Sequence, residues 1–366
     1  MDIRNYAMHW LSDIPGLGPK GREELDVIFA DETDIFLSSG EEIYTRIKAY
    51  TREHGKRALT DKVVGLLADT GRRMASMKEY EGLADAGVRF ISRYDPMFPK
   101  RLEGIYDPPH QLFVKGGLPG GGRVAVGIVG ARNCTVYGRD MARLFGYRLA
   151  RAGIDVISGM AAGVDGWAHR GALEAGGRTY AVLGCGVGVC YPESNRNIYE
   201  RIPQNGGLIS EYPVRYKPLA SNFPARNRII SGLSDGILIV EARLRSGSLI
   251  TADAALDQGK DVFVIPGRIG DELSIGCNRL IRQGAIPVLT PDDILEYYNV
   301  RTGSVEPPGL TGDERLIYEM IGDRAVSITD IASKAQGSYA GTLKLLMKMK
   351  KNGLIKEVYR DKYVRV

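Results

Sequence analysis

Apolar runs recur through the middle of the chain, at residues 124–129, 154–157, 180–183, 236–240 and 262–265. None of them alternates between apolar and polar positions, and this is the pattern of strands that are covered on both faces. A shorter run at 88–91 indicates a further strand ahead of them. The runs therefore predict a sheet whose strands lie in the interior of the protein.

Between the apolar runs the spacing of hydrophobic residues predicts helices, at 138–152, 165–175, 195–202, 225–233, 249–258 and 278–283. Strand, helix and strand in this order require right-handed crossovers and a parallel sheet with helices on both faces. We therefore expect an α/β fold, with an extended Rossmann-like parallel sheet in a domain over residues 77–300. Sheets of this kind bind ligands beyond the carboxyl ends of their strands.

The segments that flank the sheet have different patterns. Residues 1–76 predict an N-terminal helical domain, in which Gly16 and Gly18 precede a helix. This turn is similar to the hairpin of helix-hairpin-helix (SAM-like) modules, although a plain turn between helices would have the same sequence. Residues 301–310 have the composition of a linker, and residues 311–366, with three helical patterns and two strand patterns, predict a winged helix.

The predicted carboxyl ends of the strands are rich in glycine, serine and arginine. Glycine and serine let backbone N–H groups approach an anion, and the dipole of the following helix favours negative charge there. The arginines of these loops, whose forked guanidinium groups suit phosphate oxygens, are Arg132, Arg226, Arg228, Arg243 and Arg245. Phe223 offers a ring for a base. In a single loop, these glycines would be explained by the need for a tight turn. Several such loops at one sheet edge, together with the arginines, predict an anion-binding cleft.

The same loops lack the common nucleotide-binding and catalytic motifs. Gly127 and Gly130 do not have the spacing of a dinucleotide-binding loop, and no P-loop sequence is present. Three of the four histidines lie outside these loops, and His169 falls about one turn inside a predicted helix. No nucleophile stands beside a base. We therefore expect a binding protein with no catalytic residues, no cofactor and no metal ion.

Composition is that of a soluble globular protein, with 44% hydrophobic and 25% charged residues among 366. No apolar stretch is long enough to span a bilayer and the N-terminus lacks a secretory pattern, so we expect a cytoplasmic protein. The four cysteines are too scattered for a disulfide framework, and Cys185 and Cys190 lack the further ligands of a zinc site. Basic residues exceed acidic ones by 49 to 44 and concentrate after Lys344, which suits a polyanion or an acidic partner surface.

A series of motifs resembles those of the DNA processing protein A family, also called DprA or Smf. They are GARN at 130–133, SGMAAGVD at 158–165, AHRGALEAGG at 168–177, VLGCG at 182–186, FPARNRIISGLS at 223–234, RSGSLITA at 245–252 and GCNRLIRQGA at 276–285. Their length and order make the resemblance specific. Two positions depart from the family pattern: Cys134 stands where proline is common, and Met160 is bulky for its loop.

The resemblance implies a protein that binds single-stranded DNA and forms a homodimer through its Rossmann-like domain. It also implies that the protein protects incoming strands and helps to load the recombinase RecA during natural transformation and recombination. It assigns the DNA pocket to Gly130, Arg132, Ser158, Gly159, Phe223, Arg226, Asn227 and Arg228, with Ser246, Gly247, Ser248 and Thr251 in the adjacent loop. In this interpretation Arg132 and Arg228 hold phosphates, and bases rest against apolar walls.

Two other functions are compatible with the sequence. Related Rossmann-like proteins of the lysine-decarboxylase-like (LOG) group hydrolyse nucleotide monophosphates with a catalytic arginine and glutamate, and here Glu241 is the glutamate that could serve. The second alternative is a sequence-specific regulator of duplex DNA that acts through the winged helix. Lys344, Lys348 and Lys351 would then lie on one side of its recognition helix.

Overall fold

The computed structural model describes residues 3–55, 58–300, 310, 312–321, 325–335, 337–352, 354–359 and 361–365. The chain divides into two compact units, Met1–Arg301 and Thr302–Val366. Most of the linker expected at 301–310, namely 301–309, falls outside the described residues. Within the described ranges, no helix has the length and apolar character needed to cross a membrane.

The first unit begins with six helices. They are α1 (Ile3–Ser12), α2 (Pro19–Ile28), α3 (Glu32–Leu37), α4 (Gly40–His54), α5 (Asp61–Ala68) and α6 (Thr70–Glu81). Asp31 caps α3 by accepting a hydrogen bond from the backbone N–H of Thr33, and Ser39 and Glu42 form a capping box at the start of α4. Because their apolar faces converge, these helices enclose a core of their own around Trp10.

Helix α1 also packs against the central sheet through its other face. Met8 shares a hydrophobic core with Phe90 and Phe113, and the ring of His9 makes edge contacts with the same two rings. In the turn before α2, Gly16 has a φ of +86°, which a side chain would strain. The helix-hairpin-helix interpretation of this turn and the domain boundary after residue 76 stay predictions.

A nine-stranded sheet forms the centre of the first unit. Its strands are β1 (Val88–Ser92), β2 (Gln111–Gly116), β3 (Ala125–Val129), β4 (Asp155–Ser158), β5 (Thr179–Val182), β6 (Gly206–Ser210), β7 (Gly236–Ile239), β8 (Asp261–Val264) and β9 (Ile286–Pro287). Their order is β1-β2-β6-β5-β4-β3-β7-β8-β9. The five long apolar runs correspond to β3, β4, β5, β7 and β8, so the prediction of an α/β Rossmann-like fold is confirmed.

The sheet is mixed, which corrects the expectation that it is parallel throughout. From β6 to β9 in the sheet order all strands are parallel, whereas β2 pairs antiparallel with both β1 and β6. The connection between β1 and β2 contains a short 3₁₀ turn (Lys100–Leu102) and no α-helix. A parallel crossover usually runs through an α-helix that packs on the sheet, and this connection has none, which fits the antiparallel pairing of β1 with β2.

Helices cover both faces of the sheet. After α6 they are α7 (Val136–Arg151), α8 (Val164–Glu174), α9 (Arg196–Arg201), α10 (Asn222–Leu233), α11 (Gly247–Asp257), α12 (Ile275–Arg282) and α13 (Pro291–Tyr297). Side chains of α7, α8 and α13 share the core of one face, and those of α10, α11 and α12 share the core of the other. The chain runs outwards from β3 to β6 and then returns to β7 on the other side of β3. Open α/β sheets bind ligands at such a reversal of strand order.

The second unit contains α14 (Gly312–Met320), β10 (Val326–Ser327), α15 (Ile328–Lys334), α16 (Tyr339–Lys351), β11 (Ile355–Tyr359) and β12 (Lys362–Arg365). The strands form an antiparallel sheet in the order β10-β12-β11. Leu346 and Met349 of α16 are fully buried, and Lys348 pairs with Glu314 of α14 at 2.8 Å. The identification of this unit as a winged helix stays a prediction.

Candidate functional site

A cleft of about 350 Å³ opens between the ends of β3 and β7, where the strand order reverses. Its walls come from the loops after these strands and from the first turns of α10 and α11. Nine of the predicted pocket residues line it: Gly130, Arg132, Phe223, Arg226, Asn227, Ser246, Gly247, Ser248 and Thr251. Arg243 and Arg245 line it as well. The structure therefore brings the glycine- and arginine-rich turns together at one sheet edge.

Arg132 and Phe223 stand between this cleft and a smaller pocket of about 70 Å³, because both residues line both cavities. The exposed guanidinium of Arg132 lies 5.2 Å from the centre of the Phe223 ring. Tyr191 lines the smaller pocket, with its ring 5.6 Å from that of Phe223. Within the described part of the chain, Arg132 has no ion pair. A cation above an aromatic ring can hold a phosphate while the ring contacts a base.

Arg226 forms the floor of the cleft and is only 4% exposed. One of its terminal nitrogens donates to the carbonyl oxygens of Gly159 and Val182. Burial lowers the pKa of Arg226, and the carboxylate of Asp165 opposes that effect. Burial likewise raises the pKa of Asp165, against the influence of Arg226 and of two backbone N–H donors. The two buried charges therefore offset each other.

Gly159 lies under the guanidinium of Arg226 and in the wall of the smaller pocket. A Cβ atom at this position would lie 2.6 Å from the guanidinium carbon, closer than any stable contact. The backbone N–H of Gly159 donates to Asp165 at 3.1 Å, so the same residue contacts both buried charges. Gly159 is thus required by packing at the floor of the cleft.

The first turn of α11 forms the opposite wall. Ser246 caps this helix, and its hydroxyl lies 2.8 Å from the hydroxyl of Ser248. The side-chain amide of Asn227 donates to the carbonyl oxygen of Gly247 at 3.2 Å and so ties α10 to this turn. No atom lies within 4 Å of a Cβ placed on Gly247. An anion can therefore approach the backbone there, and the helix dipole favours negative charge at the same place.

Arg228 does not reach the cleft. Its guanidinium donates to the backbone carbonyl of Asp107 at 2.7 Å and to the carboxylate of Glu211 at 2.9 Å. These contacts correct the expectation that Arg228 holds a phosphate. The reason is the periodicity of α10: Phe223 and Arg226 are three residues apart and share a face, whereas Arg228 is two residues beyond Arg226 and points away.

Ser158 is also directed away from the cleft, although its neighbour Gly159 is part of the site. It is fully buried, and its hydroxyl donates to the carbonyl oxygen of Ile128 on the adjacent strand at 2.6 Å. Ser158 therefore joins β4 to β3 and presents no donor to a ligand.

Three further residues complete the site, although the sequence motifs predict no role for them: Asn133, Asp165 and Tyr191. Asp165 accepts hydrogen bonds from the N–H groups of Gly159 and Ala161, which shape the loop before α8. An acidic residue in the first turn of a helix, after a glycine-rich loop, is the signal that could have pointed to it. Asn133 and Tyr191 carry no comparable local signal.

Three groups that could serve in catalysis, Glu241, His169 and Cys185, are hydrogen-bonded or buried. The carboxylate of Glu241, the glutamate of the hydrolase alternative, accepts hydrogen bonds from the backbone and hydroxyl of Thr135 at the start of α7. His169 is fully buried, its Nδ1 lies 2.7 Å from the hydroxyl of Thr179, and burial lowers its pKa to about 3. Burial raises the pKa of the Cys185 thiol to about 11. The site thus has exposed cations at its rim above the buried, oppositely charged side chains of Arg226 and Asp165.

The profile of the family described as DNA recombination-mediator protein A matches residues 89–299. The chain is 47% identical to Protein Smf of Escherichia coli over 200 residues, which are 54% of this chain and 54% of that protein. The alignment thus spans about half of that relative. The chain is also 37% identical to the DNA processing protein DprA of Bacillus subtilis, over 68% of this chain and 83% of that protein. It is 39% identical to DprA of Streptococcus pneumoniae, over 67% of this chain and 90% of that protein.

Two solved structures share the fold. DNA processing protein A of Streptococcus pneumoniae superposes with a TM-score of 0.57 and 34% identity, covering 69% of this chain and 92% of that one. DNA processing protein A of Helicobacter pylori, whose structure concerns its single-stranded DNA binding mode, has a TM-score of 0.52 and 30% identity, covering 58% of this chain and 95% of that one.

Proposed function

The chain belongs to the DNA recombination-mediator protein A family, and on this basis we propose that its cleft binds single-stranded DNA. The observation that carries the proposal is the position of Arg132 and Phe223 at the junction of two open pockets. The single-stranded DNA binding of the Helicobacter pylori relative supports the same ligand here. In this proposal the protein binds and presents DNA and does no covalent chemistry.

Phosphates of the strand are held at the rim of the cleft. Arg132 and Arg245 offer exposed guanidinium groups, and neither has an ion pair among the described residues. Arg243, by contrast, is paired with Glu272 at 3.2 Å, so it contributes less free charge. A further phosphate sits against the open backbone at Gly247, where the dipole of α11 adds to the attraction.

Bases occupy the apolar part of the walls. Phe223 and Tyr191 face the smaller pocket, while Ile250 and Leu273 line the larger cleft. Stacking contributes about 1–3 kcal/mol per base and accepts any base, since every base has a π face. The site therefore has weak sequence preference. Its affinity depends strongly on salt, because cations that hold phosphates displace counterions.

Further parts of the proposal rest on the family and on the sequence patterns. The protein is a cytoplasmic homodimer that pairs through the Rossmann-like domain, protects incoming strands and helps to load the recombinase RecA during natural transformation and recombination. Its C-terminal unit is a winged helix, and the turn at Gly16 belongs to a helix-hairpin-helix module. Co-sedimentation of the protein with RecA on single-stranded DNA tests the loading step.

Direct binding measurements test the central claim. Fluorescence anisotropy of labelled oligothymidylate and of a duplex of equal length is followed over a series of salt concentrations. We expect tighter binding of the single strand and a logarithmic salt slope of about −0.7 for each phosphate contact. Tighter binding of the duplex, or an affinity that does not change with salt concentration, would contradict the proposal.

A further inference from the structure

Helices α7 and α8 carry an aromatic and basic patch outside the cleft. It consists of Trp167, Arg139 and Arg170, here called the Trp167 patch. The guanidinium carbon of Arg170 lies 4.4 Å from the centre of the Trp167 ring system, and that of Arg139 lies 5.6 Å from it. Trp167 is partly exposed, with its inner side packed on the core of this face of the sheet.

The patch adjoins the cleft through the loop that precedes α8. The backbone N–H of Trp167 donates to the carbonyl oxygen of Gly163 at 3.1 Å, and Gly163 packs so closely on Ala131 and Arg132 that a Cβ atom would overlap their carbonyl oxygens. Asp165, two residues before Trp167, lines the cleft. Two residues are a little over half a helical turn, so the cleft and Trp167 are separated by about the thickness of α8, on the order of 10 Å.

The charges of the patch suit a polyanion. Arg170 has no ion pair among the described residues, and Arg139 pairs through its Nε with Asp140 at 2.9 Å. The neighbouring Arg143 is neutralised by Glu174 at 2.6 Å. Arg132, at the cleft rim, lies on the loop that joins the two regions. A strand that leaves the cleft past Arg132 therefore meets further positive charge in this direction.

We propose that single-stranded DNA continues from the cleft onto the Trp167 patch, where a base contacts the indole and phosphates contact Arg139 and Arg170. This inference rests on the proposed function, since the strand enters through the cleft. The two guanidinium groups already lie at the indole ring, so little side-chain freedom is lost on binding. A base can stack on an arginine guanidinium as well as on an aromatic ring, so it meets the patch without displacing either cation. The patch lengthens the binding site without adding sequence preference.

Tryptophan fluorescence reports on this contact directly, because the chain has two tryptophans. Trp10 is fully buried in the core of the N-terminal helices, so only Trp167 is accessible to a base. Oligothymidylates of about 4 and about 16 nucleotides bracket the site sizes of single-strand binding folds. We expect the longer one to quench the emission and the shorter one, which the cleft holds, to leave it unchanged. W167F protein, in which Trp10 alone emits, should show no quenching with either.

Affinity gives the second readout. W167A should weaken binding of the longer oligothymidylate by at least about fivefold and leave the shorter one unaffected. R170Q serves as a variant that leaves core packing intact, and it should weaken the longer oligonucleotide selectively as well. R151A, at the opposite end of α7, is the matched control and should change neither affinity.

The outcomes separate this inference from the proposed function. Tight binding of the longer strand to the wild-type protein without quenching, together with unchanged affinities of W167A and R170Q, would overturn the Trp167 patch and leave the cleft standing. Equal quenching by both lengths would also contradict a track that starts in the cleft. If neither oligonucleotide binds the wild-type protein, it is the proposed function that fails.

Discussion

Arg228 donates a hydrogen bond to the carboxylate of Glu211 at 2.9 Å, and only 15% of its side chain is exposed. Two positions earlier in the same helix, Arg226 points into the cleft. The phase of α10 thus separates two arginines of one motif: Arg226 belongs to the site, and Arg228 joins α10 to the segments that contain Asp107 and Glu211. Arginine content alone does not show which guanidinium meets a ligand.

Replacing Arg228 with alanine should lower stability and leave the mode of DNA binding unchanged. The substitution leaves Glu211 and Asp107 without their donor, and loss of a hydrogen bond to a charged group costs about 1.5–3 kcal/mol. Urea unfolding measures the decrease in the free energy of unfolding. The salt slope of DNA binding should equal that of the wild type. A shallower slope would show that Arg228 holds a phosphate after all.

Replacing Arg132 with alanine should have the opposite effect. Its side chain is exposed and, within the described residues, makes a ring contact with Phe223, so stability should stay near that of the wild type. Affinity for single-stranded DNA should fall at least about tenfold, as expected for a lost charge-assisted hydrogen bond. The salt slope should become shallower by about 0.7. R151A removes the same charge at the far end of α7, a helix roughly 24 Å long. If R132A and R151A lose the same affinity for DNA, the effect of Arg132 would be one of net charge and not of a contact in the cleft.

Two glycine substitutions distinguish packing from ligand access. In G159A the new methyl group would lie 2.6 Å from the guanidinium carbon of Arg226, so the protein should be destabilised by about 1–3 kcal/mol. G247A adds a methyl group in open space, so its thermal stability should be unchanged while its affinity for DNA falls. Thermal unfolding and anisotropy titrations measure the two effects. An unaffected DNA affinity in G247A would exclude the first turn of α11 as a phosphate site.

Burial of His9 should make the protein sensitive to acid. Its pKa is lowered from 6.5 to about 4 because the ring is removed from water, with Nδ1 2.8 Å from the hydroxyl of Ser76. The unfolded chain takes up the proton first as the pH falls. The stability contribution of neutral His9 is therefore complete above 6.5 and is lost as the pH falls towards 4. Between about pH 7 and pH 5, protonation of His9 alone should lower the free energy of unfolding by about 2 kcal/mol.

The variant H9N keeps a polar atom for Ser76 and cannot take up this proton. Urea unfolding of the wild type and of H9N is compared at both pH values. The free energy of unfolding should change less with pH in the variant. The same pH dependence in both proteins would show that His9 is not the group responsible.

Removal of Thr302–Val366 should spare binding of single-stranded DNA. This unit has its own core around Leu346 and Met349, and the cleft is lined by residues of the first unit. Anisotropy titrations of the shortened protein should give a Kd equal to that of the full chain. If the shortened protein binds DNA much more weakly, and the full chain prefers duplex DNA, the results would favour a regulator that acts through the predicted winged helix.

Local patterns were sufficient for the inner strands of the sheet. A strand that is covered on both faces needs consecutive apolar residues, and β3, β4, β5, β7 and β8 all have them. β6 begins with Gly206 and Gly207, where a Cβ atom on Gly206 would overlap the carbonyl oxygen of Thr179 on β5. This requirement comes from a neighbouring strand and cannot be seen in the five residues of β6 alone. The antiparallel placement of β1 and β2 likewise depends on pairing partners.

The sequence by itself determined that glycine, serine and arginine stand at the ends of the strands, because strand ends follow from apolar runs and those residue types follow them in the chain. Only the tertiary structure decided which of these groups face a ligand. The environment directs Ser158 to Ile128 and Arg228 to Glu211, buries Arg226 with Asp165, and sets Trp167 beside Arg139. The physical reason is that side-chain direction depends on helix phase and on partners distant in sequence, and neither is encoded in a local motif.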